Sequence, residues 1–160
     1  MRIGTLAAAI ACGWLASCAY VGDPLPPALN IPVAPQGLTV LERGDRLSIE
    51  FQVSNRTTEG TLLRRLGELD LRIGSEGAEP FHQATWEQRA QRIPVAWDGQ
   101  PGRVQGDLPV EPWVNRTVVV AVRVSNPKGR WSAWSDFLTR RVLPPLLPPA
   151  GVRASLTPQG

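Results

Sequence analysis

Apolar and polar residues alternate along much of the chain between residues 36 and 142. The alternation is clear over residues 47–53 and 69–73. Residues 118–124 are almost wholly apolar, with valine at every second position, and they are predicted to form the strongest strand. A period of two gives an extended chain one apolar side, which is typical of a half-buried β-strand. Residues 38–40 and 137–142 are predicted to form strands as well.

Turn signals separate these predicted strands. Gly44-Asp45 lies between the predicted strands at residues 38–40 and 47–53. Asn126-Pro127-Lys128-Gly129 follows the predicted strand at residues 118–124. Residues 60–66 are predicted to form a loop whose three leucines fold back onto the core. Because no helices alternate with the strands as in βαβ units, the pattern predicts an all-β antiparallel sandwich.

One stretch has a helical period instead. Thr85-Trp86-Glu87-Gln88 fits a capping box, and Trp86, Ala90 and Ile93 fall on one helical face. This spacing predicts a short helix over residues 86–92 that lies against the sandwich, with Trp86 as its packing anchor.

The amino terminus has the layout of a secretory signal. Arg2 supplies positive charge, residues 3–15 are apolar but too short to span a bilayer, and Ala16 and Ser17 are small. Leu15-Ala16-Ser17-Cys18 resembles the lipobox at which bacterial lipoprotein signal peptidase cleaves before a diacylated cysteine. Residues 1–17 are therefore expected to be removed; the alternative is an ordinary cleaved signal with an incidental cysteine.

Lipidation of Cys18 would make the membrane a binding partner through a lipid anchor, since two or more acyl chains hold a protein stably. The chain has two cysteines, and Cys12 leaves with the signal, so the folded part has no disulfide. Position 19 is Ala19 rather than an inner-membrane-retaining Asp. In a Gram-negative cell this favours a cell-envelope location at the outer membrane.

The rest of the chain divides into three predicted parts. Residues 18–34 are rich in proline and form an extended tether of about 3 Å per residue. Residues 35–145 form the sandwich domain. Residues 146–160 are a linker and the start of a truncated second repeat, because Pro149-Ala150-Gly151-Val152 echoes Pro35-Gln36-Gly37-Leu38.

The domain resembles a fibronectin type III domain in the order of its motifs. The resemblance rests on the opening Pro35-Gln36-Gly37-Leu38, the strands over residues 47–51, 69–73 and 118–126, and the following Gly129-Arg130-Trp131-Ser132-Ala133-Trp134-Ser135. It implies an immunoglobulin-like antiparallel β-sandwich of fibronectin type III type, here with one short inserted helix. Phe51 and Val118 stand where the family usually has a core tryptophan and a tyrosine.

The motif Trp131-Ser132-Ala133-Trp134-Ser135 resembles the Trp-Ser-x-Trp-Ser box of cytokine receptors, in which tryptophans interleave with arginines. In an extended three-per-turn chain Trp131 and Trp134 share a face, and Arg123 is predicted on the outward face of its strand. A guanidinium between two indoles is favourable by about 0.5–2 kcal/mol per contact. We predict that Arg123, Trp131 and Trp134 form a structural clip; the alternative is a ligand platform.

Several classes of function lack the residues they need. His82 is the only histidine, no carboxylates cluster at metal-ligand spacing, and no glycine-rich phosphate loop occurs, so no enzyme activity, metal or cofactor is predicted. With the signal removed, 16 basic residues face 14 acidic ones and are scattered, so nucleic acid is not an expected partner.

Two functions remain open. The first is a membrane-anchored cell-envelope lipoprotein whose fibronectin type III-like domain serves structure or protein–protein interaction with another envelope protein. The second is a carbohydrate-binding module that stacks exposed tryptophans on a glycan. It is motivated by the five tryptophans that follow the signal: Trp86, Trp97, Trp113, Trp131 and Trp134. Their exposure on one flat face distinguishes the two.

Overall fold

Seven strands, one helix and one 3-10 turn make up the described part of the computed structural model, which comprises residues 28–77, 79–146 and 151. The strands are β1 (Gln36–Arg43), β2 (Arg46–Val53), β3 (Leu69–Ser75), β4 (Gln91–Ile93), β5 (Gly102–Pro109), β6 (Thr117–Val124) and β7 (Leu138–Arg141). Helix α1 (Gln83–Arg89) precedes β4, and the 3-10 turn (Glu111–Trp113) precedes β6.

The strands form two antiparallel sheets with the orders β1-β2-β5 and β4-β3-β6-β7. The inward residues of β2 and β6 face each other across the core, and those predicted from the alternation are almost completely buried. They are Leu47, Ile49, Phe51 and Val53 on β2 and Val118, Val120, Val122 and Val124 on β6. The predicted all-β sandwich with one short inserted helix is thereby confirmed.

The four-stranded sheet is buried on both faces. Val119 and Ala121 point away from the main core, yet they are covered by Trp86 of α1, with Phe81 and Phe137 beside it. Gly74 of β3 allows this close approach, because a Cβ there would lie 3.0 Å from the indole nitrogen of Trp86. The predicted anchoring role of Trp86 is confirmed.

The predicted bounds and cap of the helix are wrong. The helix begins at Gln83, its N-cap is His82, and no side chain caps its first turn. It ends when Ala90 becomes extended, so Ile93 lies in β4 rather than on the helical face. The docking of Trp86 onto the sheet, rather than the capping box at Thr85, therefore sets the position of the helix.

The loop before β3 follows its prediction only in part. Leu66 is buried and Leu63 packs partly against the core, whereas Leu62 is 65% exposed. Gly67, which follows, has no room for a side chain: a Cβ would lie 2.3 Å from the backbone oxygen of Asn126. The loop is thus held against the turn after β6, with Leu62 left at the surface.

Residues 28–34, the end of the predicted tether, are bound to the sandwich. Pro32 pairs with Thr57, the backbone N–H of Val33 donates to the Arg56 carbonyl at 3.0 Å, and the Asn126 side chain donates to the Asn30 carbonyl at 2.9 Å. The predicted signal peptide, Cys18, residues 18–27 of the predicted tether and most of the predicted second repeat lie outside the described residues.

The tether and the end of β7 lie at opposite ends of the sandwich. Residues 28–34 contact the turn that follows β6, whereas Val142 pairs through its backbone with Arg116, just before β6 begins. The eight residues of β6, at about 3.4 Å each, separate these two ends by roughly 27 Å. Within the described residues, no helix has the length and apolar character needed to cross a membrane.

Candidate functional site

The Trp-Ser-x-Trp-Ser motif and two arginines form a stack on the outer face of the four-stranded sheet. The guanidinium carbon of Arg123 lies 4.9 Å from the ring centre of Trp131 and 4.3 Å from that of Trp134. The guanidinium carbon of Arg72, on β3, lies 5.5 Å from the ring centre of Trp134 as well. We call Trp131, Arg123, Trp134 and Arg72 the Trp–Arg ladder. The structure thus brings the three predicted residues together and adds a fourth.

Two serines hold the motif in its extended form along the edge of β6. The Ser132 backbone N–H donates to the Val124 carbonyl at 2.8 Å, and the Ser132 hydroxyl accepts from the Val124 N–H at 3.1 Å. Ser135 makes the same two bonds with Val122. Because each serine faces β6, the tryptophan that precedes it, Trp131 or Trp134, turns toward the ladder. These serines lay inside the recognised motif, but their role was not predicted.

Asp70 of β3 is the buried charge under the ladder. Its side chain is 2% exposed, and its oxygens lie 2.9 Å from Arg72 and 3.0 Å from Arg123. Arg92 of β4 adds a contact at 3.6 Å. The alternation over residues 69–73 puts Asp70 on the face opposite the main core, but it does not reveal this burial. The burial follows from the pairing of β3 with β6, which sets Asp70 opposite Arg123.

The arginines keep this carboxylate ionised. Burial by itself raises the pKa of Asp70, but hydrogen bonds and positive charge from Arg72 and Arg123 outweigh it, so the pKa lies below its ordinary value. The hydrogen bond to Asp70 in turn raises the pKa of Arg72, although burial opposes this. The ladder therefore rests on a permanent ion pair at neutral pH.

Glu87 connects helix α1 to the ladder. Its Oε1 lies 2.8 Å from Arg123 Nη1, and its Oε2 accepts from the Trp134 indole N–H at 3.4 Å. Arg72 donates to the Glu87 backbone carbonyl at 2.7 Å. The Trp86 ring meets Trp134 edge-on at 5.5 Å. Arg123 thus contacts two indoles and two carboxylates, and Trp134 contacts two guanidinium groups, Trp86 and Glu87. This arrangement favours a structural clip over a ligand platform.

The remaining tryptophans do not form a flat exposed surface. Trp97 and Trp113 are half-buried and pack against the main core. Trp97 precedes the start of β5 and Trp113 follows its end, so the length of this eight-residue strand, roughly 27 Å, lies between them. The Trp97 indole N–H is already donated to the Gln100 carbonyl at 2.9 Å.

A cleft of about 620 Å³ lies between α1, the end of β3 and the 3-10 turn. Trp86, Trp113 and Arg116 contribute to its walls, together with the backbone of Gly74. The indole nitrogen of Trp86 is buried and has no hydrogen-bond partner among the described residues. No group of three or more potential metal ligands occurs in the part of the chain that the structure describes.

Comparison with known proteins finds similarity in structure but not in sequence. No protein-family model matches the chain, and no curated protein matches it. The solution structure of the third fibronectin III domain of the human KIAA0343 protein is similar, with 16% sequence identity and a TM-score of 0.42. The match covers 83% of this chain and all of the other.

Asp70→Asn should lower the free energy of unfolding more at neutral pH than in acid. Because the folded pKa lies below the ordinary 3.8, the contribution of Asp70 is complete well above that pH and is lost as the pH falls through the folded pKa. We expect a loss of about 2 kcal/mol at pH 7 that shrinks toward pH 2, measured by urea unfolding with tryptophan fluorescence.

Asp107→Asn is the control, since Asp107 is exposed and makes no ion pair with any described residue. It should change the unfolding midpoint little at any pH. A constant difference between wild type and Asp70→Asn across the whole pH range would contradict the assignment.

Arg123→Ala should lower the free energy of unfolding by about 2 kcal/mol, because it removes two indole contacts and one partner of Asp70. Arg123→Lys keeps the charge but not the planar stacking group, so it should cost about half as much. Arg103→Ala is the control, because Arg103 is 75% exposed and pairs only with Glu50. Unchanged unfolding midpoints for both Arg123 variants would refute the clip and favour a ligand platform.

Proposed function

We propose that this chain is a lipid-anchored protein of the bacterial cell envelope that presents its β-sandwich for protein–protein interaction. The anchor is the diacylated Cys18, and the support for it is the apolar run ending in Leu15-Ala16-Ser17-Cys18. Two or three acyl chains provide stable attachment, so the protein needs no membrane-spanning segment.

The observation that carries the interaction part is the position of the tether relative to the sandwich. Residues 28–34 bind at the end formed by the turn after β6, so a membrane anchor preceding them lies on that side. The opposite end then faces away from the membrane. It presents the cleft beside α1, with the half-buried Trp113 and the exposed Arg116 and Arg89 at its margin.

A protein partner suits this end better than a glycan. Sugar binding by stacking requires exposed, coplanar aromatic rings, and the described tryptophans are buried or half-buried. The cleft instead combines an apolar wall with guanidinium groups, hydroxyls and backbone groups, which is the mixture found at protein interfaces. The proposal includes no catalytic role: His82 is exposed, and Asp70 and Glu87 are bound to arginines.

Lipidation of Cys18 is tested by mass spectrometry of the protein from the membrane fraction. We expect a mature amino terminus at Cys18 with the mass of a diacylglycerol, with or without an amide-linked third chain. Cys18→Ser should abolish acylation and leave the protein released or unprocessed, whereas Cys12→Ser should change nothing. A free thiol at Cys18 in the membrane-associated protein would disprove the anchor.

The interaction surface is tested by photo-crosslinking in cells. A benzophenone side chain at position 85 or 116, beside the cleft, should give a discrete adduct that protease degrades and glycosidase does not. The same group at position 64, at the tether end, is the matched control and should give no such adduct. Equal yields from both ends, or no adduct from the cleft positions, would argue against a docking surface there.

A further inference from the structure

The end of the sandwich that binds the tether is strongly basic. We define the tether end as residues 28–34 with the loops over residues 54–66, 98–101 and 126–130. It carries five exposed basic side chains, none of which forms an ion pair with a residue in the described ranges. They are Arg56, Arg64, Arg65, Lys128 and Arg130.

The acidic groups at this end are occupied by backbone donors. The Glu59 carboxylate accepts the backbone N–H groups of Leu29 and Asn30, both at 3.1 Å. Asp98 accepts from the backbone N–H of Gln100 at 3.0 Å. Glu68, near the start of β3, lies 3.4 Å from Arg92. The five basic side chains of the tether end outnumber its two carboxylates, Glu59 and Asp98, so this surface carries an excess of positive charge.

The opposite end has a smaller excess of positive charge. Apart from Arg140, which pairs with Glu42, it also carries five exposed basic side chains, but four carboxylates lie among them. The basic side chains are Arg43, Arg46, Arg89, Arg116 and Arg141, and the acidic ones are Asp45, Glu76, Asp107 and Glu111. The difference between the two ends therefore lies in their acidic groups, two at the tether end against four here.

Two exposed leucines lie among the basic groups. Leu62 is 65% exposed and pairs through its backbone with Arg56, and Leu29 is 45% exposed in the tether. Apolar side chains surrounded by arginine and lysine are typical of surfaces that lie in the headgroup region of an anionic bilayer.

The tether places this surface close to a membrane if Cys18 is the anchor. Residues 18–27 precede the bound segment, and ten residues, even fully extended, span at most about 35 Å. Each basic side chain that comes within a Debye length of about 8 Å is attracted by anionic headgroups.

We propose that the tether end is a second membrane contact, in which the five basic side chains and Leu62 bind the anionic headgroup surface next to the lipid anchor. This inference rests on the proposed anchoring for its location in the cell. The contact orients the sandwich so that the cleft end points away from the bilayer. The partner is a lipid surface, recognised by charge and by shallow insertion of a leucine.

The test is vesicle binding by the unlipidated chain of residues 19–160, which keeps every described strand and helix. The vesicles contain about 30% phosphatidylglycerol in phosphatidylcholine, with pure phosphatidylcholine for comparison, and bound protein is measured by sedimentation at low and high salt. We expect binding to the anionic vesicles only, with its loss at high salt.

Charge reversal at each end gives a matched comparison. Arg64→Glu with Lys128→Glu should lower the partition coefficient by about tenfold or more, whereas Arg43→Glu with Arg116→Glu, the same change in net charge, should lower it by about twofold or less. Leu62→Ser should lower it several-fold without changing the charge. Unchanged unfolding midpoints show that each variant is folded.

Equal loss of binding in both charge-reversed pairs would overturn the proposal, because net charge alone would then explain it. Absence of binding to anionic vesicles would also overturn it and would leave an acidic protein as the partner of this end. Because no lipid anchor is present in this assay, failure here is distinguishable from failure of Cys18 acylation, which is measured separately by mass.

Discussion

The burial of Asp70 between Arg72 and Arg123 is the constraint on which the outer half of this fold depends. A carboxylate this far from water must be paired. The pairing requires β3 and β6 in their observed register, because a shift of one residue would turn Arg123 into the core. It also fixes the two guanidinium planes on which Trp134 stacks. The Trp-Ser-x-Trp-Ser motif and helix α1 are thus held by contacts with the paired arginines as well as by apolar packing.

The two sheets differ in how their outer faces are covered. The four-stranded sheet is covered on its outer face by α1, the Trp–Arg ladder and Phe137, so that β6 is buried along nearly its whole length. The three-stranded sheet carries polar residues on its outer face, with the exposed Leu41 among them. The surfaces left for binding are therefore the two ends of the sandwich and the polar face.

The sequence alone predicted those strands and turns whose local residue pattern reflects their burial or backbone conformation. The strict alternation over residues 47–53 identified β2, and the run of valines over residues 118–124 identified β6. Gly44-Asp45 identified the hairpin turn between β1 and β2. Strand β5 was missed because one of its inward positions is Gly106, which carries no apolar signal and leaves room for Val95. The burial of Asp70 was missed because it depends on arginines from other strands. The helix start was misplaced because tertiary docking of Trp86 overrides local capping.

The serines of the Trp-Ser-x-Trp-Ser motif have a consequence for the edge of the sheet. Strand β7 pairs with β6 only from Thr117 to Val120, which would leave the last residues of a valine-rich strand with free backbone groups. Ser132 and Ser135 occupy those groups at Val124 and Val122 with both N–H and hydroxyl. A valine-rich edge with open hydrogen-bonding groups is a template for intermolecular β-pairing. The motif therefore protects the valine-rich strand β6 against intermolecular pairing, independently of anything that the domain binds.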